Sequence, residues 1–81
     1  MTKEHKVSLY RTRSCIWCHK TAELFKEKGI KFKEVWVDQD HKAAQEMIKK
    51  SGQMGVPVIE IDGQIIDGYD VEAFKKLLKF N

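Results

Sequence analysis

A chain of 81 residues, 42% of them hydrophobic and 33% charged, has room for one domain with one core, which we expect to span residues 1–81. Apolar runs of four residues or fewer exclude a membrane-spanning segment, and the lack of a long apolar stretch near the N-terminus predicts a cytoplasmic protein. The net charge of +3 comes from basic residues interspersed with acidic ones, so we expect neither a nucleic-acid nor a membrane partner.

The first half of the chain predicts a strand, a helix and a second strand. These elements are expected over residues 6–10, 15–28 and 31–37. The helix carries Cys18, Ala22 and Phe25 on one face and ends at Gly29, a residue suited to a left-handed helix end. The second strand is partly buried, and its Trp36 is expected in the core.

The second half of the chain predicts a helix, a hairpin and a last helix. The first of these helices is capped by Asp38 or Asp40 and ends at Ser51 and Gly52. The strands are expected over residues 58–61 and 64–66, and the last helix over residues 70–80. Helical spacing relates Ala43, Ala44, Met47 and Ile48 in one helix and Val71, Phe74, Leu77 and Leu78 in the other. Asp62-Gly63 is typical of a tight hairpin turn.

The predicted order is βαβαββα. A right-handed parallel βαβ unit followed by a hairpin gives an α/β protein with a four-stranded mixed sheet flanked by three helices. This is a thioredoxin-like fold, in which a C-x-x-C pair follows a strand and opens a helix, as Cys15 and Cys18 do here.

Cys15 and Cys18 lie too close in sequence to brace a fold, because a crosslink stabilises a chain less when the loop that it closes is short. Regular helical positions three apart leave the Cβ atoms about 5–6 Å apart, whereas a disulfide needs about 3.8 Å. We therefore expect Cys15 at the strand–helix junction and Cys18 in the first turn. Helix N–H groups, with help from Arg11, Arg13 and Lys20, would lower the pKa of Cys15, which attacks a disulfide, and Cys18 would resolve the mixed disulfide.

Two other interpretations of the cysteines are open. Cys15-Ile16-Trp17-Cys18-His19 matches a C-x-x-C-H haem attachment site, but the strand–helix context and the absence of an export signal disfavour it. A zinc site could combine Cys15, Cys18 and His19 with His5 or His41, although these spacings fit no recurrent zinc pattern. We expect His19 to face water.

Three segments resemble the glutaredoxin family, over nearly the whole chain from Val7 to about Leu78. They are Ser14-Cys15-Ile16-Trp17-Cys18, Val56-Pro57 ahead of a strand, and Gly68-Tyr69-Asp70 at the start of the last helix. Three segments in this order are more specific than the C-x-x-C pair alone. Their general character is similar to that of the short bacterial glutaredoxin-like proteins.

The resemblance implies a glutathione-binding groove made by Trp17, Val56, Pro57, Tyr69 and Asp70. It implies a cis Pro57 beside the cysteines, which leaves the Val56 backbone free to pair with a substrate peptide. The γ-glutamyl end of glutathione would lie at Tyr69 and Asp70, and an exposed Trp17 would cover the Cys15 sulfur or dock a partner. Candidate cations for the glycyl carboxylate are Arg11, Arg13, Lys49 and Lys50.

We therefore predict an enzyme, a monomeric glutathione-dependent dithiol oxidoreductase that reduces protein or glutathione mixed disulfides. No tightly bound cofactor and no metal are expected; glutathione is the reductant, and proteins with disulfides are partners. Ile16 replaces the family's usual proline, Gly55 a threonine, and Thr12 a glutathione-binding lysine or arginine. Two alternatives stay open: a redoxin of the same fold recharged by thioredoxin reductase, and a thiol-ligated metal or iron–sulfur protein.

Overall fold

Strands and helices alternate along the chain in the predicted order. The computed structural model describes residues 5–80. Its elements are β1 (Val7–Arg11), α1 (Ile16–Glu27), β2 (Lys33–Trp36), α2 (His41–Ser51), β3 (Val58–Ile61), β4 (Gln64–Asp67) and α3 (Val71–Leu78). None of these helices is long and apolar enough to cross a membrane.

The four strands form one mixed sheet in the order β2-β1-β3-β4. β1 and β2 are parallel, with Ser8 opposite Lys33, whereas β3 is antiparallel to both β1 and β4. The β3–β4 turn places Asp62 at φ 50° and Gly63 at φ 88°. Positive φ at both central residues matches the right-handed twist of the strands, which is why Asp-Gly suits this turn. The predicted thioredoxin-like fold is confirmed.

The helices cover both faces of the sheet. α1 and α3 pack on one face, where the core includes Leu9, Phe25, Ile59 and Phe74. α2 packs on the other face through Met47, against Tyr10 of β1 and Val58 of β3 among others. Alternate residues of β1 and β3 therefore serve two separate hydrophobic layers, as the pleat of a strand requires.

Trp36 corrects the sequence interpretation of β2. The strand is shorter than the predicted residues 31–37, and the Trp36 side chain is half-buried rather than part of either core layer. Its ring lies 4.4 Å from the guanidinium carbon of Arg11. Phe32, just outside the strand, packs edge-on against Phe25 instead, with ring centroids 5.4 Å apart. The aromatic residue that the core takes from this segment is thus Phe32.

The register of the sheet brings three loops to one edge. Tyr10, near the end of β1, lies opposite Val58, the first residue of β3, and Val58 lies opposite Asp67, the last residue of β4. The loop after β1 leads to Cys15, the loop before β3 contains Pro57, and the loop after β4 leads to Asp70. Residues that are far apart in sequence therefore meet at this edge.

Candidate active site at Cys15 and Cys18

Cys15 is the N-cap of α1. Its backbone is extended, with φ −89° and ψ 110°, and its Sγ accepts a hydrogen bond from the backbone N–H of Cys18 at 3.1 Å. The sulfur thus occupies the place of the oxygen that usually caps a helix. An N–H group at a helix start, beside the positive end of the helix dipole, favours negative charge on that sulfur. The predicted placement of the pair, Cys15 at the junction and Cys18 in the first turn, is confirmed.

The two thiols have unequal surroundings. Both cysteines are reduced; Cys15 is half-buried, whereas Cys18 has an exposure of 0%. Burial, followed by the hydrogen bond with Cys15, raises the pKa of Cys18 from 9.0 to about 12, because a thiolate is poorly solvated there. A hydrogen bond with the Thr12 backbone and the charge of Arg11 act in the opposite direction. Near neutral pH Cys18 is therefore a protonated thiol.

Trp17 and Tyr69 come together beside the cysteines. Trp17 is 52% exposed, and its ring centroid lies 5.5 Å from that of Tyr69. The Lys20 ammonium lies 4.9 Å from the Trp17 centroid, and Tyr69 in turn packs edge-on against the buried Phe74. The predicted exposure of Trp17 is confirmed. α1 and the segment before α3 thus form a continuous aromatic wall.

Pro57 is cis and buried, as the resemblance implies. Its carbonyl accepts a hydrogen bond from the Gly68 N–H at 2.9 Å, which links this loop to the Tyr69 segment. Within residues 5–80, no hydrogen bond reaches the backbone N–H or C=O of Val56. An extended peptide could therefore pair with this residue.

Asp70 is exposed and is the N-cap of α3. Its Oδ1 accepts a hydrogen bond from the backbone N–H of Ala73 at 3.2 Å. A carboxylate can accept several hydrogen bonds, so this contact leaves capacity for a cationic group from solution. Asp70 thus stabilises α3 and also presents negative charge at the edge of the sheet where Cys15 lies.

Two of the four candidate cations for the glycyl carboxylate are engaged elsewhere. Arg11 is 2% exposed, and Lys50 donates to Glu60 at 2.9 Å and to Tyr10 at 3.3 Å on the α2 face. Arg13 is exposed in the loop that leads to Cys15, where its Nε lies 3.5 Å from Asp38. Lys49, the fourth candidate, is also exposed and lies in the last turn of α2.

A network around Arg11 was missed at the sequence level. Its Nη1 donates to Glu34 Oε1 at 3.0 Å and its Nη2 to His19 Nδ1 at 3.1 Å, and its Nε is buried without a partner among the described residues. Because arginine only donates, His19 carries its proton on Nε2, which donates to the Arg13 carbonyl at 3.3 Å. His19 is exposed, as expected, but both of its ring nitrogens also make hydrogen bonds within the protein.

The signal for this network was weak but present. Arg11 ends a strand that is otherwise apolar at its buried positions, and it lies opposite Trp36 in the parallel register. Glu34 is two residues before Trp36, so it points to the same side and lies diagonally across from Arg11. Residues 5–80 contain no cluster of three or more His, Cys, Asp or Glu side chains that could hold a metal.

Comparisons with known proteins point to one family. The family model described as Glutaredoxin matches residues 7–66. An uncharacterised glutaredoxin-like protein of 8.6 kDa from the rubredoxin operon of Clostridium pasteurianum is 45% identical, over 90% of this chain and 97% of that protein. Glutaredoxin 3 of Escherichia coli K12 is 41% identical, over 79% and 77%. The crystal structure of a glutaredoxin from Archaeoglobus fulgidus superposes with a TM-score of 0.84 at 28% identity, covering 93% of this chain and 87% of that chain.

Proposed function

The chain belongs to the glutaredoxin family of thioredoxin-fold redox proteins, and on that premise we propose that it is a dithiol thiol–disulfide oxidoreductase supplied with electrons by glutathione. The observation that carries the proposal is the inequality of the two sulfurs. The partly exposed Cys15 Sγ accepts a helix N–H, whereas the fully buried Cys18 is a protonated thiol. Attack by Cys15 and resolution by Cys18 follow from this difference.

The reaction conserves electrons and protons in two steps. The Cys15 thiolate bonds to one sulfur of the substrate disulfide, the old S–S bond breaks, and the other sulfur leaves as a thiolate that takes up a proton. Cys18 then loses its proton and bonds to Cys15, which releases the second substrate thiol. The resulting Cys15–Cys18 disulfide is reduced by two glutathione molecules, which leave as glutathione disulfide.

Glutathione binding would use the aromatic wall and the two loops next to it. In this proposal the Val56 backbone pairs with the cysteinyl part of glutathione, and Pro57 and the Trp17–Tyr69 wall enclose it. Asp70 binds the γ-glutamyl ammonium group, and the backbone N–H groups at the start of α3 bind the neighbouring carboxylate. Arg13 is the proposed cation for the glycyl carboxylate because its side chain is exposed and it belongs to the loop that leads to Cys15. We further propose that the protein works as a monomer in the cytoplasm on disulfide-containing proteins, without a tightly bound cofactor.

A second candidate reductant is thioredoxin reductase. Thr12 stands where the family often has a glutathione-binding cation, and Gly55 stands where it has a threonine. Thr12 supplies no positive charge and Gly55 no side chain at these two positions, whereas the two cysteines are unchanged. They therefore bear on the source of electrons and not on the thiol chemistry.

The decisive experiment compares two coupled assays on the same disulfide substrate. We expect turnover with glutathione and glutathione reductase; turnover with thioredoxin reductase alone would reject glutathione as the reductant. Cys15→Ser should abolish activity, whereas Cys18→Ser should retain reactions that pass through a glutathione mixed disulfide. The reverse pattern would contradict the assigned roles. An absorption spectrum of the purified protein tests the iron–sulfur and haem alternatives, because either group would absorb visible light.

A further inference from the structure

The Arg11 guanidinium is a buried charge that is only partly neutralised. Its side chain is 3% exposed, and within residues 5–80 its one carboxylate contact, to Glu34, uses Nη1 alone. Nη2 donates to a neutral imidazole, and Nε has no acceptor within residues 5–80. Trp36 contributes the electron-rich face of its ring at 4.4 Å. Buried arginines are usually paired more fully, often through two parallel hydrogen bonds to one carboxylate.

This charge contacts the helix turn that carries the resolving cysteine. Thr12, the residue after Arg11, hydrogen-bonds through its backbone to Cys18, and His19, the residue after Cys18, accepts from Arg11. The Arg11–His19 hydrogen bond thus joins the end of β1 to the residue that follows Cys18 in the first turn of α1. Within the described residues, the side-chain charges that act on this sulfur are those of Cys15 and Arg11.

The balance of these charges changes during the reaction. In the reduced protein Cys15 opposes ionisation of Cys18, through its hydrogen bond and its negative charge. Once Cys15 is bonded to a substrate sulfur it carries no charge, so this opposition ends. Burial then remains as the barrier to a Cys18 thiolate, and the Thr12 hydrogen bond and Arg11 oppose that barrier. Arg11 therefore has its largest relative effect in the second step.

We propose that Arg11 is a positioning residue for resolution: its buried guanidinium stabilises the Cys18 thiolate that forms within the mixed disulfide, and Glu34 limits the strength of that charge. The inference rests on the proposed function. In the step concerned, Cys18 loses its proton, its sulfur bonds to Cys15 Sγ, and the bond between Cys15 and the substrate sulfur breaks; the departing substrate thiolate takes up one proton, so that protons balance. The electron pair leaves on the substrate thiolate.

The test uses two substitutions that break the same salt bridge and change the net charge around Cys18 in opposite directions. Arg11→Met keeps an unbranched side chain but removes the positive charge, whereas Glu34→Gln removes the neutralising negative charge. Reduced protein is mixed with excess glutathione disulfide, quenched with acid and analysed by mass spectrometry. The appearance of the Cys15 mixed disulfide gives the rate of attack, and its conversion to the internal disulfide gives the rate of resolution at each pH.

We expect Arg11→Met to slow resolution near neutral pH, by about threefold for each tenfold loss of the Cys18 thiolate. A tenfold loss of thiolate is partly offset by the higher nucleophilicity of the more basic sulfur. The pH profile of resolution should move to higher pH in Arg11→Met and to lower pH, with faster resolution, in Glu34→Gln. Lys26→Met, which removes an exposed charge in the last turn of α1, is the matched control and should leave both rates unchanged.

Shifts of the two profiles in the same direction would overturn the proposal, because a merely structural salt bridge is broken in both variants. Unchanged resolution in Glu34→Gln would also overturn it, and this variant decides the question even if Arg11→Met does not fold. Failure of the proposed function looks different. In that case the unsubstituted protein forms no mixed disulfide with glutathione, and the same comparison is made with a small aromatic disulfide as substrate.

Discussion

Cys18 should resist alkylation far more than an ordinary cysteine, and the structure sets the size of the effect. A pKa of about 12 in place of 9.0 lowers the thiolate fraction near neutral pH about a thousandfold, since each unit is a factor of ten. A more basic sulfur is intrinsically more nucleophilic, with a sensitivity of about 0.4–0.5, so the net loss of rate is about 50-fold. Complete burial of the side chain slows the reagent further.

The perturbation is Cys15→Ser, which removes the competing thiol. It also removes the hydrogen bond and the charge of Cys15 that raise the Cys18 pKa, but it leaves burial, the largest cause, in place. Cys18 in this variant should therefore react faster than Cys18 in the unsubstituted protein, yet well below the rate in the unfolded chain. Cys18→Ser is the matched variant, in which Cys15 should react readily.

The assay is labelling with iodoacetamide near neutral pH, in the native state and in denaturant, followed by peptide mass spectrometry. Denaturant supplies the rate of the same cysteine without its burial. Native Cys18 in Cys15→Ser that reacts as fast as in denaturant would refute the reasoning, because burial would then have no effect on its ionisation or access. Equal native rates for the two single-cysteine variants would refute the inequality on which the proposed mechanism depends.

Three further predictions test the groove and the stability of the protein. Asp70→Ala should lose about 1 kcal/mol of unfolding free energy, as the loss of an N-cap does, and should also raise KM for glutathione. Asp40→Ala removes the N-cap of α2 and should lower stability without changing KM. Equal KM values in the two variants would exclude Asp70 from the groove. Trp17→Ala should raise KM for glutathione, and an unchanged KM would contradict the role of the aromatic wall. The substitution should lower the unfolding free energy by no more than about 1.5 kcal/mol, because the ring is half exposed and its main partner is Tyr69. The raised pKa of Cys18 means that the folded state holds this proton more tightly than the unfolded state. The resulting stabilisation is complete below about pH 9 and is lost as the pH rises towards 12, by at most about 1.4 kcal/mol per pH unit. In chemical denaturation, the unfolding free energy of Cys18→Ser should therefore fall less steeply at alkaline pH, and identical declines in the two proteins would be evidence against the shift.

The elements that could be predicted from sequence are those with local causes. Asp62-Gly63 predicts its hairpin because few residues tolerate positive φ at two successive positions, and the structure has both. The side chains of Asp40 and Asp70 cap the helices that follow them, and their bonds to Ala43 and Ala73 stay within four residues. The junction position of Cys15 was predictable for the same reason, since the geometry of a close cysteine pair limits where it can lie.

The Arg11 network could not be predicted because its causes are distant in sequence. An arginine at the end of a short strand is typical of a solvent-exposed position, and its burial depends on Glu34 and Trp36 in the neighbouring strand. The assignment of Trp36 to the core was wrong for the same reason, because the sheet register, which the sequence does not show, places Arg11 opposite Trp36. Phe32 was free to take the core position because β2 begins one residue later.

The N-cap of α1 links the redox state of the protein to the stability of a helix end. In the reduced form Cys15 Sγ accepts an N–H that the helix cannot satisfy internally. A sulfur in a disulfide accepts that bond more weakly than a thiolate sulfur does. The reduced form therefore gains a stabilisation that the oxidised form lacks, and this difference raises the reduction potential of the pair. Tightening the first turn of α1 would strengthen this hydrogen bond in the reduced form and make the protein a poorer electron donor. Fraying of the same helix end would lower the reduction potential and make it a better one.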